Sequence, residues 1–154
     1  MRWTIAQVAG ALDTRPGAGL DPMAGVAGVS IDSRAIRAGE LFIAIHGPRH
    51  DGHTFVADVL AGGALAAVVA QERLASYPEA VRERCIAVAD TFVALKQLAR
   101  KVRKAWGGKI AGVTGSVGKT TTKEILAALL GTRDRKSTRL NSSHYGLSRM
   151  PSSA

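Results

Sequence analysis

The chain has 154 residues, of which 46% are hydrophobic and 21% are charged, and its formal net charge is +9. This length and apolar content suit one domain, or one domain and part of another, and exclude a chain too polar to bury a core. No apolar run approaches the ~20 residues of a membrane-spanning helix, and the N-terminus lacks the pattern of a signal peptide, so we expect no membrane insertion.

The first sixty residues alternate between helical and strand patterns. Apolar residues at helical spacing predict a first helix from Thr4 to Leu12, and the glycines and proline at 15–19 predict a break after it. Thr54 precedes an apolar run and is therefore a predicted helix N-cap. The other elements predicted here are strands at 28–32 and 40–45, a loop at 46–53 and a helix at 55–61.

The next fifty residues continue this alternation. Apolar runs at 65–70 and 85–89 predict buried strands, and Asp90 or Thr91 would cap a long amphipathic helix that ends near Trp106. The basic side chains of this helix predict a solvated outer face, with an acidic partner as the alternative. Strands that alternate with helices predict an α/β architecture with mostly parallel pairing.

A glycine-rich turn stands between a strand pattern at 109–114 and a helical pattern at 119–130. Such a turn points successive backbone N–H groups into one concavity at the positive end of a helix, which suits the phosphates of a nucleotide. Lys119 would neutralise phosphate charge and the Thr120 hydroxyl would complete a Mg²⁺ shell, so these two are the candidate catalytic residues and Thr120 the metal contact. The candidate nucleotide-binding residues are Thr114, Gly115, Ser116, Val117, Gly118, Lys119, Thr120 and Thr121.

This motif departs from the strict phosphate-loop pattern, which requires glycine where the chain has Val113. The alternative is a plain strand-to-helix turn that needs glycine. That alternative leaves unexplained why a lysine begins an apolar helix, where the macrodipole disfavours a cation.

Two polar clusters follow predicted strands. The first is Asp32-Ser33-Arg34, in which Arg34 offers a planar fork for phosphate, although Asp-Ser is also common turn chemistry. The second comprises His46, His50, Asp51 and His53. A metal is disfavoured there because glycine and proline interrupt the loop, so a structural loop or one that touches a substrate is the preferred interpretation.

Cys85 is the only cysteine, which excludes a disulfide framework and predicts a reducing, cytoplasmic setting with Cys85 as a small buried hydrophobe.

The last 22 residues, 133–154, hold five basic side chains and one acidic one, so nearly half of the charge excess lies there. Their composition predicts disorder. This tail resembles translated sequencing-adapter or vector sequence, so we exclude it from the fold. We expect this chain to agree with the native protein only as far as about Thr132, after which the native chain would continue with a different sequence. A basic arm for nucleic acid is the rejected alternative, since interleaved aromatics are missing.

An ordered set of motifs resembles the Mur ligases, the ATP-dependent amide-forming enzymes of peptidoglycan precursor synthesis. The set comprises residues 32–47 (DSRAIRAGELFIAIHG), 51–55 (DGHTF), 63–64 (GA) and 114–124 (TGSVGKTTTKE). The resemblance covers about residues 25–130, and it accounts for Val113 because this family uses the shorter glycine loop. The 114–124 form is similar to that of members that add D-alanyl-D-alanine to UDP-N-acetylmuramoyl-tripeptide. Members that add the third amino acid, diaminopimelate or lysine, stay as the alternative.

The resemblance also implies an organisation and a set of partners. It implies a UDP-substrate-binding domain at 1–88, the first strand, phosphate loop and helix of an NTPase-like ATP domain at 89–132, and a non-native tail at 133–154. Ser33, Arg34, Asp51 and His53 become candidate substrate-binding residues, and ATP and Mg²⁺ the cofactors. The expected partners are UDP-N-acetylmuramoyl-tripeptide and D-alanyl-D-alanine, bound by a cytoplasmic monomer without nucleic acid.

The implied mechanism is ligation through an acyl phosphate, in which catalysis rests on positioning and electrostatics. The family's other Mg²⁺ ligands, its carbamylated lysine and its third domain would lie beyond position 132, so we expect this chain alone to be inactive. Two further alternatives remain: a non-catalytic UDP-binding module, and a basic nucleic-acid-binding protein with steeply salt-dependent binding.

Overall fold

A computed structural model describes residues 3–48, 50–108 and 112–131 of the chain, without the side chains of residues 130 and 131. Backbone contacts divide the chain into two compact units, Met1–Gly108 and Lys109–Ala154. The elements of the first unit are β1 (Trp3–Thr4), α1 (Ile5–Ala11), β2 (Gly25–Val26), β3 (Val29–Ser30), β4 (Leu41–Ile43), a 3₁₀ helix (Gly52–Phe55), α2 (Val56–Ala61), β5 (Ala66–Ala70), α3 (Gln71–Leu74), α4 (Glu79–Arg82), β6 (Cys85–Val88) and α5 (Thr91–Trp106).

A four-stranded parallel sheet forms the centre of the first unit, in the order β3-β4-β5-β6. Apolar side chains cover both faces of β4, β5 and β6, which explains why these three strands are nearly continuous apolar runs. One face packs with α1 and α5 and the other with α2. Members of the first core cluster include Leu41, Ile43, Val68 and Ile86, and members of the second include Phe42, Ala67, Val69 and Cys85. The predicted α/β fold with parallel pairing is confirmed.

Cys85 is buried as predicted, and its thiol donates a hydrogen bond to the Val81 carbonyl oxygen. Burial raises the pKa of this thiol to about 11. A thiol with so high a pKa stays protonated near neutral pH, which fits the role of a small core side chain.

Local hydrogen bonds set the beginnings of the helices. Thr4 caps α1 in a capping box with Gln7, and the Asp90 carboxylate caps α5 by accepting two backbone N–H groups. The prediction that Thr54 is an N-cap is wrong. Asp51 instead caps a 3₁₀ helix that precedes α2. This 3₁₀ helix begins three residues earlier than the apolar pattern suggests.

Among the described residues, antiparallel pairing that the sequence did not predict occurs at three places, one of which is a bridge between His46 and Asp51. β1 pairs with β2 beside α1. The segment from Pro16 to Gly19, predicted only as a break, lies along the outer edge of β6, where the Gly17 N–H donates to the Cys85 carbonyl oxygen at 2.9 Å. This segment covers a sheet edge that would otherwise expose unpaired backbone groups.

The second unit contributes helix α6 (Lys119–Gly131), close to the predicted helix at 119–130. Of the predicted strand at 109–114, residues 109–111 lie outside the described part, and residues 112–114 are not paired in a strand. The predicted tail at 133–154 also lies outside it. The boundary predicted after residue 88 stays a prediction, although α5 packs on α1 and β5 of the first unit. Within the described residues, no helix has the length and apolar character needed to cross a membrane.

Candidate functional site

The carboxyl ends of the parallel strands form one edge of the sheet, where ligands of open α/β sheets usually bind. Segments that follow β3, β4, β5 and β6 meet at this edge. A cavity of about 330 Å³ opens there. It is lined by His46, His53, Ala70, Glu72, Arg73, Ala89, Asp90, Thr91 and Phe92.

The Asp51 carboxylate joins several segments at this edge. One oxygen, Oδ1, accepts from the backbone N–H of His53 at 3.0 Å and contacts His53 Nδ1 at 2.7 Å. The other, Oδ2, accepts from Arg73 Nη2 at 3.3 Å and lies 3.4 Å from His46 Nδ1. Asp51 therefore connects the loop after β4 with the 3₁₀ helix and with α3.

Both ring nitrogens of His53 are engaged within the protein. Nε2 lies 3.1 Å from the backbone nitrogen of Ala70, which can only donate, so Nε2 must be the unprotonated acceptor. Nδ1 then carries the hydrogen and donates to Asp51. The side chain is only 6% exposed. His53 thus lines the cavity with no ring nitrogen left for a ligand.

Burial and hydrogen bonding shift two pKa values in this cluster. Burial alone would raise the pKa of Asp51, but the backbone and ring hydrogen bonds of His53, with the nearby His46, outweigh it and leave the pKa below its ordinary value. Burial raises the pKa of Tyr77 to about 12. Its phenol therefore stays protonated and donates to the His53 carbonyl oxygen at 2.9 Å.

The segment after β3 forms a compact turn. The Asp32 carboxylate accepts the backbone N–H of Arg34 and pairs with both Nε and Nη2 of its guanidinium, at 3.0 and 3.1 Å. This side-chain hydrogen bonding lowers the pKa of Asp32 and raises that of Arg34. The Arg34 side chain is 88% exposed, so its outer N–H groups face solvent, and Ser33 is half-buried beside it.

The glycine loop of the second unit has two glycines at positive φ and a lysine over it. Gly115 and Gly118 have φ of +151° and +79°, values that favour glycine. Lys119 begins α6, and its ammonium donates to the Gly115 carbonyl oxygen, so it lies over the loop. Thr120 and Thr121 are exposed in the first turn. Thr122 bonds back to the Gly118 carbonyl oxygen at 2.9 Å.

The structure brings some of the predicted residues together and keeps others apart. Asp51 and His53 share one cluster, whereas Ser33 and Arg34 lie in the turn after β3, and neither lines the 330 Å³ cavity. The sequence did not indicate Arg73 or Tyr77, which bond to this cluster from 22 and 24 residues away. No local spacing pattern could have indicated contacts at such separations.

Comparison with protein families decides what kind of chain this is. The family model described as "Mur ligase family, catalytic domain" matches residues 25–103. The chain belongs to the Mur ligase family. The resemblance that the motifs indicated is therefore confirmed.

Two Mur ligase sequences show which members are similar. The UDP-N-acetylmuramoyl-tripeptide–D-alanyl-D-alanine ligase of Bacillus subtilis is 43% identical over 108 residues, which is 70% of this chain and 23% of that protein. The UDP-N-acetylmuramoyl-L-alanyl-D-glutamate–2,6-diaminopimelate ligase of Synechocystis is 38% identical over 73% of this chain and 23% of its own length. The chain thus spans about a quarter of the length of these relatives.

Solved Mur ligase structures share the fold. MurF from Acinetobacter baumannii superposes with a TM-score of 0.69 at 34% identity, over 86% of this chain and 28% of that one. MurF ligase from Thermotoga maritima, solved in complex with ADP, gives a TM-score of 0.55 at 36% identity, over 68% of this chain and 23% of its own.

Proposed function

We propose that this chain is the N-terminal part of an ATP-dependent ligase that adds D-alanyl-D-alanine to UDP-N-acetylmuramoyl-tripeptide in the cytoplasm. The observation that carries the proposal is the glycine loop, with two glycines at positive φ and Lys119 lying over it at the start of α6. The relative that is 43% identical is a ligase of this kind, which supports the same assignment.

The residues of the loop fit a nucleotide phosphate and a metal ion. The backbone N–H groups of residues 115–118 would cradle phosphate oxygens, and Lys119 would turn its ammonium from Gly115 to the phosphate charge. The exposed hydroxyl of Thr120 is a suitable hard-oxygen ligand for Mg²⁺, which would neutralise charge on the phosphates, and Thr121 is a second hydroxyl contact. A Cβ at Gly118 would meet nothing within 4 Å, so conformation rather than space requires glycine there.

The proposed reaction forms an amide in two displacements. The terminal carboxylate of the tripeptide attacks the γ-phosphorus of ATP and releases ADP, and the amine of D-alanyl-D-alanine then displaces phosphate from the acyl carbon. Charge develops on phosphoryl oxygens, so the contribution of Lys119 is electrostatic, and that of the backbone N–H groups is positioning.

The first unit would hold the UDP end of the substrate at the carboxyl edge of its sheet. The exposed guanidinium of Arg34 keeps N–H groups available for an anion while Asp32 orients it, and Ser33 offers a hydroxyl beside it. Asp51 and His53 belong to the same edge and shape the loop after β4.

A matched pair of lysine variants tests the ATP site. Lys119→Met removes the ammonium over the loop, whereas Lys123→Met removes one from the same helix that is not among the proposed nucleotide-binding residues 114–121. We expect Lys119→Met to weaken binding of a fluorescent ATP analogue by roughly 10-fold or more, because a hydrogen bond to a charged group contributes about 1.5–3 kcal/mol. Equal affinities for both variants, or no binding by the wild-type chain, would overturn the assignment of this loop.

Two measurements separate this proposal from its alternatives. Long-read sequencing of the source DNA across the codons for Gly131 to Lys136 should find a frame that continues for several hundred codons, and a frame that ends at PSSA would contradict the ligase. The longer protein should then accept D-alanyl-D-alanine with the UDP-linked tripeptide. Use of diaminopimelate with the dipeptide would instead place it with the 38% identical relative. A UDP-binding module would bind uridine nucleotides without ATP.

A further inference from the structure

We propose that His53 is a positioning residue for the UDP-linked substrate: it holds the segments after β4 and β5 at a fixed separation and does not contact the ligand. This inference rests on the proposed function, since it concerns the site at the carboxyl edge of the first unit. We call the set of Asp51, His53, Ala70 and Tyr77 the clasp.

The imidazole ring of His53 joins Asp51, which follows β4, to the end of β5. On one side His53 Nδ1 donates to Asp51, the first residue after the loop that follows β4. On the other, Nε2 accepts the N–H of Ala70, the last residue of β5. An imidazole is rigid, so its two bonds set the distance between Asp51 and the end of β5 with little freedom.

The backbone of His53 is held as well as its ring. The Tyr77 phenol donates to its carbonyl oxygen at 2.9 Å, and Asp51 Oδ1 accepts its N–H at 3.0 Å. The ring is 6% exposed, so water does not compete for these bonds. A residue fixed at its ring nitrogens, its N–H and its carbonyl oxygen is suited to positioning other groups.

Two exposed side chains that contact the clasp, those of His46 and Arg73, are able to reach a ligand. His46 and Arg73 share the second oxygen of Asp51, and their side chains are 69% and 50% exposed. Both line the 330 Å³ cavity, one from the loop after β4 and the other from α3. A change in the His53 bridge would therefore move these two side chains relative to each other, and the cavity would lose its shape.

Two conservative variants of His53 test the two hydrogen bonds of its ring separately. Glutamine places its amide near the position of Nε2 and can accept from the Ala70 N–H, so His53→Gln keeps the bond to β5. Asparagine places its amide near Nδ1 and can donate to Asp51, so His53→Asn keeps the bond to Asp51 and loses the one to β5. The experiment measures uridine diphosphate affinity of the 154-residue chain by calorimetry, amide hydrogen exchange at Ala70 by NMR, and the urea midpoint of each variant.

We expect His53→Asn to weaken uridine diphosphate binding by roughly 10-fold or more, because small misplacements of binding groups have large effects, and to speed exchange at Ala70. His53→Gln should stay within about threefold of the wild type in both readouts. A merely structural role would lower the urea midpoint of both variants and leave the affinity of the folded protein unchanged.

The outcomes separate this inference from the proposed function. If the wild type binds uridine diphosphate and His53→Asn binds equally well, the positioning role is wrong and the proposed function stands. The positioning role is also wrong if His53→Gln loses as much affinity as His53→Asn, since the bond to β5 would then not matter. If the wild-type chain does not bind uridine diphosphate, the proposed substrate site fails, and the inference fails with it.

Discussion

At the scale of single residues, the Asp51 carboxylate makes the stability of the first unit sensitive to acid. Its pKa is below the ordinary 3.8 in the folded protein, although burial opposes this, because His53 donates to it from both backbone and ring. The stabilisation is therefore fully present above the unfolded-state pKa and is lost as pH falls through the lower folded-state value. We expect the urea midpoint of the wild type to fall more steeply below about pH 4 than that of Asp51→Asn.

The amide of Asp51→Asn retains one acceptor oxygen for His53 but does not titrate, which makes it the matched control. Asp58→Asn is a second one, since Asp58 is exposed on α2 away from the clasp. Its replacement removes a carboxylate from the same unit and leaves the hydrogen bonds of Asp51 in place. Parallel acid profiles for the wild type and Asp51→Asn would contradict the assignment of this pH dependence to Asp51.

At the scale of elements, the segment along the outer edge of β6 depends on glycine for space rather than for conformation. A Cβ at Gly17 would lie 2.3 Å from the Glu83 carbonyl oxygen and 2.8 Å from that of Cys85. Gly17→Ala must therefore push the segment off the edge and break its hydrogen bonds, and we expect a loss of about 1–3 kcal/mol in the free energy of unfolding.

Gly10, in the same unit as Gly17, has open space for a side chain. It lies in the exposed part of α1, and a Cβ there would meet nothing within 4 Å. Gly10→Ala should raise the free energy of unfolding by about 0.5–1 kcal/mol, because alanine has the higher helix propensity. Chemical denaturation of both variants measures the contrast, and a Gly17→Ala protein as stable as Gly10→Ala would show that the edge pairing is dispensable.

The elements also show what sequence reasoning can reach. Strands β4, β5 and β6 were predicted because burial on both faces leaves continuous apolar runs, and Asp90 was one of two predicted caps, with Thr91, because capping is local. The pairing of Gly17 with Cys85 and the bond from Tyr77 to His53 were not predicted. These contacts join residues far apart in the chain, and no periodicity encodes them.

The candidate sites also differ in how much of each the sequence predicted. The glycine loop and the Asp32–Arg34 turn are each contained within a few residues, so their chemistry was visible in the sequence. The clasp was visible only in part, as Asp51 and His53. Ala70 enters it because β5 lies beside β4 in the sheet, which is a property of the topology rather than of local sequence.

At the scale of the whole molecule, the core and the glycine loop belong to different units. Both buried apolar clusters consist of residues of the first unit. In the described part of the second unit, the residues from 112 to 118 form no strand, and Lys119 to Glu124 are exposed. A phosphate loop normally stands at the end of a strand inside a sheet covered on both faces, and that support positions it for chemistry.

We therefore expect the purified 154-residue chain to release no phosphate in response to D-alanyl-D-alanine, even with ATP, Mg²⁺ and the UDP-linked tripeptide present. The chain spans 23% of the length of the Bacillus subtilis ligase. Positioning of the carboxylate, the γ-phosphorus and the amine requires groups held rigidly on several sides, and the loss of that arrangement removes many orders of magnitude in rate. A coupled phosphate assay, with the full-length Bacillus subtilis ligase as positive control, measures this directly. Sustained release that depends on D-alanyl-D-alanine and disappears in Lys119→Met would mean that the chain assembles a working site by itself.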